Sequence, residues 1–156
     1  MPRKGYNPRA EVGRLYDQHG AGLYRYALMI LADAAAAEDA LHEVFAKLLM
    51  QRTSISDELR YLRRAVRNEC YSALRRRSRS AKRPLLEAVG PDDRAEQRLA
   101  LESAICELPA DQREVLHLHS FEGMTFQEIA ELVGESINTV ASRYRYAVSK
   151  LRQMLT

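Results

Sequence analysis

The chain has 156 residues, the length of one medium domain or two small ones. Hydrophobic residues make up 46% and charged residues 29%, with seven Gly and five Pro, which excludes a disordered or collagen-like chain. No stretch approaches the run of about 20 apolar residues that a membrane span needs, and the polar start lacks the apolar core of a signal peptide. Cys70 and Cys106 show no paired spacing. We therefore expect a cytoplasmic protein without membrane insertion.

The formal net charge of +3 hides an uneven distribution along the chain. Residues 60–83 carry ten basic residues and one acidic residue, whereas residues 84–122 carry three basic and nine acidic residues. A dense cationic block favours a polyanionic partner, and the acidic block beside it favours a partner other than nucleic acid. The alternative for each block is a solvated helix face.

Helical spacing dominates the first half, and no segment shows the alternation of a strand, so we expect an all-α fold. The pattern predicts one helix from about Glu11 to Leu31, a second that follows an Asp33 N-cap, and a third capped by Ser56 or Asp57. Apolar positions expected in the core are Leu15, Leu23, Tyr26, Ala27, Ile30, Ala37, Leu41, Val44, Phe45, Leu48, Leu49, Leu59, Leu62, Val66, Cys70, Ala73 and Leu74.

An Arg/Ser run and the breaker Gly90-Pro91-Asp92-Asp93 interrupt the helical pattern. We interpret residues 78–93 as a flexible linker that joins two small helical modules, residues 1–77 and 94–156. The second module is predicted to hold helices at about 94–107, 110–122, 125–133 and 137–154. Gly123 follows the second of these at a position where positive φ is favourable, and Thr125 with Glu128 forms a capping box for the third.

The last two helices have the signature of a helix-turn-helix, since a short helix, a three-residue turn containing Gly134 and a longer helix follow one another. Residues expected to pack inward are Ile129, Ala130, Leu132, Val133, Ile137, Val140, Tyr144, Ala147 and Leu151. The opposite side of the last helix begins with short polar groups and arginine, the groups that recognition helices use to contact base edges. The candidate DNA-contacting residues on this side are Asn138, Thr139, Ala141, Ser142 and Arg145. An ordinary helical hairpin is the alternative.

The third helix repeats basic and aromatic residues along one side, namely Arg60, Tyr61, Arg64, Arg67, Tyr71 and Arg75. Cations neutralise phosphates, and tyrosine rings stack on unpaired bases, so this pattern suits a strand that is being separated from its duplex. A cationic rim that serves only solubility is the alternative.

The second helix carries a polar ridge of Glu38, Asp39, His42 and Glu43, opposite its apolar face. The ridge suits either a protein partner with basic residues or solvent, and the residues alone favour solvent. No phosphate-binding loop, dinucleotide-binding or nucleophile-elbow motif is present. His117 and His119 are two residues apart and point to different faces of a helix, so they cannot share a metal. We expect no enzymatic activity, metal or cofactor.

The order of these segments resembles a bacterial RNA polymerase sigma factor of the sigma-70 family, extracytoplasmic-function (ECF) type. The matching segments are LYDQHGAGLYRYALMIL, AEDALHEVFAKLL and YLRRAVRNECYSALRRR in the first module. In the second module the match is LPADQREVLHLHSFEGMTFQEIAELVGESINTVASRYRYAVSKLRQML. Together they span nearly everything from Leu15 to Leu155.

The resemblance implies roles for these segments. It implies that Glu38, Asp39, His42 and Glu43 dock on the β′ subunit of core RNA polymerase, which reverses the reading from the residues alone. It implies that Arg60, Tyr61, Arg64, Arg67, Asn68 and Tyr71 help melt and read the −10 element, and that residues 51–56 capture a flipped-out base. It implies that the helix from Ser136 enters the major groove of the −35 element, which adds Ser136 and Arg143 to the candidate DNA-contacting residues.

The resemblance also implies contacts with the β subunit and regulation by an anti-sigma factor. His42 stands where the family usually has Gln, and Ala141, Tyr146 and Val148 stand where it often has Lys or Arg, so fewer −35 phosphate contacts are expected. Two other functions stay open. One is a stand-alone helix-turn-helix regulator, and the other is a sigma-like interaction protein that titrates an anti-sigma factor.

Overall fold

The computed structural model describes residue 5 and residues 7–51, 55–77 and 94–156. These ranges contain helices and no strand, so the all-α prediction is confirmed for them. The helices are α1 (Pro8–Leu31), α2 (Ala34–Met50), α3 (Glu58–Arg76), α4 (Ala95–Glu107), α5 (Ala110–Ser120), α6 (Phe126–Val133) and α7 (Ile137–Leu155). They form two compact units, α1 to α3 and α4 to α7. The predicted linker, residues 78–93, lies outside the described residues.

Helix α1 begins three residues earlier than predicted, because a side chain upstream caps it. The Asn7 Oδ1 atom accepts hydrogen bonds from the backbone N–H groups of Arg9 (3.1 Å) and Ala10 (3.4 Å). The helix ends where Ala32 takes a φ of 51°, in the left-handed region. Arg77 then donates from Nη1 to the Leu31 carbonyl oxygen at 2.8 Å. A cation at a helix C-terminus is favourable because it meets unsatisfied carbonyl groups.

The core of the first unit lies between α1 and the apolar side of α3, where Leu62, Val66 and Cys70 are fully buried. Helix α2 joins this core through Phe45, whose ring meets Tyr16 edge-on with centroids 5.2 Å apart. Leu49 was expected in the core, which is wrong, since its side chain is 46% exposed near the end of α2. Leu59, Ala73 and Leu74 are only half-buried.

An ion pair holds the first turn of α3 against α1. Asp57 is the N-cap of α3 and accepts from the Arg60 backbone N–H, which settles the choice between Ser56 and Asp57. The Arg14 guanidinium lies 2.5 Å from carboxylate oxygens of both Glu11 and Glu58. Hydrogen bonding to Arg14 lowers the pKa of Glu11, and the bonds to Glu11 and then Glu58 raise the pKa of Arg14.

Helix α7 is the central element of the second unit and packs on α4, α5 and α6. Ile129 of α6 and Val140 and Ala147 of α7 are completely buried, as predicted. Ile137 was also expected to be buried, which is wrong: it is 45% exposed because the first turn of α7 projects beyond the core. Leu132, Tyr144 and Leu151 are half-buried.

Helix α5 differs from the prediction at its end and in its core. It ends at Ser120 rather than Glu122, and Gly123 keeps the expected positive φ (70°) within the following turn. Arg113, Glu114 and His117 are buried on this helix, although charged residues are almost never fully buried unless they are paired. Arg113 donates to the Leu108 carbonyl oxygen, so this cation holds the α4–α5 connection.

No helix among the described residues is long and apolar enough to span a membrane.

Candidate functional site

The acidic ridge of Glu38, Asp39, His42 and Glu43 lies on the exposed side of α2. Its backbone is fixed from below, since Ala37, Leu41 and Val44 on the same helix are buried. Within the described part of the chain, Glu38, Asp39 and His42 make no ion pair, whereas Glu43 lies 3.6 Å from the Lys47 ammonium. Three of the four ridge side chains are therefore available to an external partner.

The cationic face of α3, defined as Arg60, Tyr61, Arg64, Arg67, Asn68 and Tyr71, lies opposite the buried row of that helix. Arg60, Tyr61, Arg64 and Asn68 are exposed, and Arg67 and Tyr71 are half-buried. The Arg67 guanidinium stacks over the Tyr71 ring, 4.5 Å from its centroid. The structure thus brings the six predicted residues onto one helix surface where cations alternate with aromatic rings.

A groove of about 300 Å³ runs between α2 and α3 beside this face. Its lining residues are Val44, Lys47, Leu48, Gln51, Tyr61, Ala65, Asn68, Glu69 and Ser72. Gln51 donates from Nε2 to the Tyr61 hydroxyl at 2.8 Å and so fixes the ring at the groove wall. Of the loop predicted to capture a base, residues 52–54 lie outside the described residues.

An ion-pair chain between α2 and α3 was not anticipated from the sequence. The Glu69 carboxylate lies 3.5 Å from Lys47 Nζ and 3.3 Å from Arg76 Nη2, with its own side chain only 15% exposed. Because Arg76 is held by Glu69 and Arg77 by the Leu31 carbonyl, part of the basic block has a structural role. The basic run itself gave no signal that separates these arginines from the exposed ones.

Each helix of the helix-turn-helix has a side-chain cap at its start, and the cap of α6 is the predicted one. Thr125 accepts from the Glu128 backbone N–H (3.1 Å), and the Glu128 carboxylate accepts from the Thr125 N–H (3.0 Å), forming the reciprocal capping box. Gly134 ends α6 with a φ of 73°, a conformation that costs other residues about 1–2 kcal/mol. Ser136 Oγ accepts from the Thr139 N–H at 3.1 Å and caps α7.

The predicted DNA-contacting residues lie at the N-cap and in the first turns of α7, and their exposure differs. Ser136, Asn138 and Arg145 are exposed, whereas Thr139, Ala141, Ser142 and Arg143 are half-buried. The Arg143 side chain is 22% exposed and lies 3.3 Å from Asp111 and 3.5 Å from Glu135. It therefore ties α7 to α5 and to the turn. Arg145 contacts only the Ser142 hydroxyl (3.1 Å) among the described residues and points its charge outward.

An aromatic junction of His119, Phe126 and Tyr144 holds α7 against α5 and α6. The His119 ring stacks on Phe126 (4.4 Å between centroids) and meets Tyr144 edge-on (4.7 Å). His119 Nδ1 lies 2.8 Å from the Met124 carbonyl oxygen, which accepts the Nδ1–H bond. His117 instead stacks on Phe121 and lies 3.3 Å from Glu122, so the two histidines have separate neighbours. No group of His, Cys, Asp and Glu that could hold a metal occurs in the described ranges.

Two family models match the chain, one on each unit. The model described as Sigma-70 region 2 matches residues 15–80, and the model described as Sigma-70 region 4 matches residues 98–151. The chain belongs to the sigma-70 family. Sigma factors are regulatory DNA-binding proteins rather than enzymes.

Curated relatives place this sigma-70 family member in the ECF group. The ECF RNA polymerase sigma factor SigL of Mycobacterium tuberculosis (strain H37Rv) is 32% identical over 155 residues, covering 90% of this chain and 86% of SigL. The RNA polymerase sigma factor SigZ of Bacillus subtilis (strain 168) is 28% identical over 151 residues, covering 90% of this chain and 85% of SigZ.

Two solved structures share its fold. The sigma factor RpoE of Bartonella quintana, solved with the anti-sigma factor NepR, matches with a TM-score of 0.73 and 22% identity, covering 93% of this chain and 96% of RpoE. CnrH, solved with the cytosolic domain of CnrY, matches with a TM-score of 0.66 and 25% identity, covering 96% and 89% of the two chains.

Proposed function

We propose that this protein is an ECF sigma factor that binds core RNA polymerase, directs it to promoters with −35 and −10 elements and assists DNA melting. One observation carries the proposal: the two units that match sigma region 2 and region 4 present different surfaces suited to these tasks. The first unit has an acidic ridge and a cationic, aromatic helix face, and the second has a capped helix-turn-helix. Because core polymerase is intracellular, this function would place the protein in the cytoplasm.

The acidic ridge supplies the contact with the β′ subunit in this proposal. Its support is the exposure of all four residues and the absence of ion pairs at Glu38, Asp39 and His42 among the described residues. Unpaired exposed carboxylates on a rigid helix attract a basic protein surface and set its orientation on approach. A contact of the second unit with the β subunit would complete attachment to the polymerase.

The cationic face of α3 acts on the −10 element in this proposal. Arginines on the helix neutralise phosphates, and the tyrosines offer rings on which an extruded base can stack. Opening a duplex step costs a few kcal/mol, and a site for the extruded base offsets part of that cost. The groove between α2 and α3 beside Tyr61 and Asn68 lies next to this face and has room for a planar ring.

The start of α7 reads the −35 element in this proposal. Asn138, Thr139 and Ser142 offer short hydrogen-bonding groups, Ala141 offers a methyl group for thymine, and Arg145 has the length to reach a guanine edge. The ion pairs of Arg143 with Asp111 and Glu135 keep the helix in a fixed position while Arg145 reaches out. Ser136 at the N-cap adds a hydroxyl at the end that enters the groove first.

Regulation by an anti-sigma factor is part of the proposal, supported by the anti-sigma complex of the fold relative RpoE. The same fold would serve a sigma mimic that titrates an anti-sigma factor, and the helix-turn-helix alone would serve a stand-alone regulator. A stand-alone regulator would not bind core polymerase, whereas a sigma factor would. A mimic would not support transcription from a promoter, whereas a sigma factor would.

Replacing Asp39 by Arg tests the docking assignment. We expect Asp39→Arg to abolish binding to core polymerase, because it places a cation at the centre of the ridge opposite a basic partner. Co-purification of the variant with core enzyme, together with its circular dichroism spectrum, measures binding and folding separately. Glu131→Arg is the matched control, since it makes the same charge reversal on an exposed residue of α6. Unchanged co-purification of Asp39→Arg would refute the assignment.

A further inference from the structure

Two bonds between side chains cross the groove that lies between α2 and α3. Gln51 Nε2 donates to the Tyr61 hydroxyl oxygen at 2.8 Å, and Lys47 Nζ lies 3.5 Å from the Glu69 carboxylate. On α3, Ala65 lies one helical turn after Tyr61 and one turn before Glu69, and its short side chain lines the groove. The two bonds therefore tie the helices together while the space between the bonds stays open.

The bond to Gln51 restricts a ring that would otherwise be free to rotate. Tyr61 lies near the start of α3, on the cationic face, and 37% of the residue is exposed. An exposed tyrosine populates several staggered rotamers, and fixing it in one of them costs conformational entropy. In this chain the hydrogen bond fixes the ring before any ligand arrives.

Gln51 is itself held in place by the core of the first unit. It is the first residue after α2, and its backbone N–H donates to the Leu48 carbonyl oxygen at 3.1 Å. The Leu48 side chain is buried. The amide that holds Tyr61 is therefore anchored at the end of a helix whose position is set by core packing.

We infer that Gln51 is a positioning residue for DNA melting, because it holds the Tyr61 ring at the groove wall in the orientation that stacks on an extruded base. The inference rests on the proposed function and adds to the −10 site a residue that acts only through Tyr61. Gln51 lies in the segment expected to capture a flipped-out base, yet its amide bonds to the ring rather than pointing to a base of its own. A ring that is already oriented loses little entropy when a base stacks on it, so the open state of the promoter is favoured.

The ratio of open to closed promoter complexes, measured with the full chain and purified core polymerase, tests the inference. The probe is a promoter duplex mapped by run-off transcription, and permanganate oxidation reports the unpaired thymines in its −10 region. Gln51→Met keeps the length of the side chain without the amide, and Tyr61→Phe keeps the ring without the hydroxyl. We expect each variant to lower the ratio by about two- to tenfold, the value of one hydrogen bond, and the double variant to lower it no further.

A second readout and a control variant separate positioning from a general loss of structure. The affinity of the holoenzyme for a duplex that carries only the −35 element should stay within about twofold in every variant, because α7 is unchanged. Gln153→Met makes the same substitution at an exposed glutamine near the end of α7 and should leave the ratio unchanged. Thermal unfolding of each variant measures folding.

The outcomes separate this inference from the proposed function. If the unchanged chain opens no promoter with core polymerase, the proposed function fails. If it opens the promoter and Gln51→Met opens it equally well, the proposed function stands and the inference is overturned. Additive losses in the double variant would also overturn it, because Gln51 would then act on the DNA directly rather than through Tyr61. So would an equal loss of affinity for the −35 duplex, because the variants would then disturb the whole chain.

Discussion

Helices α3 and α7 are both 19 residues long and both face DNA in the proposed function, yet their surfaces differ. On α3, arginines and tyrosines cover the side opposite the buried row, and Arg60 and Arg64 are exposed. On α7, the first turns carry short polar groups, and Arg143 is held by two carboxylates while Arg145 extends outward. In the proposed function, this difference assigns charge and stacking to α3 and the fit of a positioned helix to α7. We therefore expect DNA binding through α3 to depend most on salt concentration, and DNA binding through α7 to depend most on base sequence.

The largest effect is expected from a substitution in the core that supports α7. Ile129→Ala deletes a fully buried side chain of α6, which packs against α7, and should lower the free energy of unfolding of the second unit by about 2–5 kcal/mol. The affinity for −35 DNA should fall together with this stability, because base contacts in the proposed function depend on the position of α7. Chemical denaturation followed by circular dichroism measures the loss, and Ile137→Ala, at a 45% exposed position, is the control. A similar loss for both variants would show that the packing under α7 is not what holds it.

An intermediate effect is expected from the outward arginine of α7. Arg145→Ala should weaken binding to the preferred −35 sequence by about 1–3 kcal/mol if the side chain contacts a base edge. Binding to duplexes altered at that base should change little. Anisotropy titrations on a panel of single-base variants measure this pattern. Equal loss on every duplex would make Arg145 a phosphate contact and would bring α7 closer to α3 in mechanism.

The smallest effect concerns a single cation of α3. Arg60→Ala should lower the slope of log affinity against log salt by about 0.7–0.9, the value for one phosphate contact, with the same change on every sequence. The side chain of Arg60 is exposed and has no partner among the described residues. Arg76→Ala is the comparison, because Arg76 is paired with Glu69 and its loss should change the slope less. Sequence-dependent loss with Arg60→Ala would contradict a purely electrostatic role.

Local sequence signals accounted for most of the helix boundaries and caps. The Thr125–Glu128 capping box and the positive φ of Gly123 appear in the structure at the predicted residues, and Gly134 lies in the predicted turn. Each of these features depends on residues within four positions of one another, so the chain encodes them locally. The seven helices follow the predicted order through the described ranges, and their ends differ by at most three residues.

Features that depend on packing between helices were not predictable in the same way. Periodicity placed Leu49 and Ile137 in the core, but each lies near a helix end beyond the reach of the neighbouring helices. The burial of Glu114 and the pairing of Glu69 with Lys47 depend on helices that meet only in the folded unit. The groove between α1 and α2, which Asp17 and Glu38 both line, likewise forms only when these two helices pack together. A single sequence contains no signal for these contacts.

Run-off transcription with purified core polymerase on a library of genomic fragments tests the central claim most directly. The account predicts discrete start sites that appear only with this protein, share upstream elements at the −35 and −10 positions, and disappear with Asp39→Arg. Transcripts that are the same with and without the protein would contradict it, and tight binding to an anti-sigma factor without any transcription would identify a mimic instead.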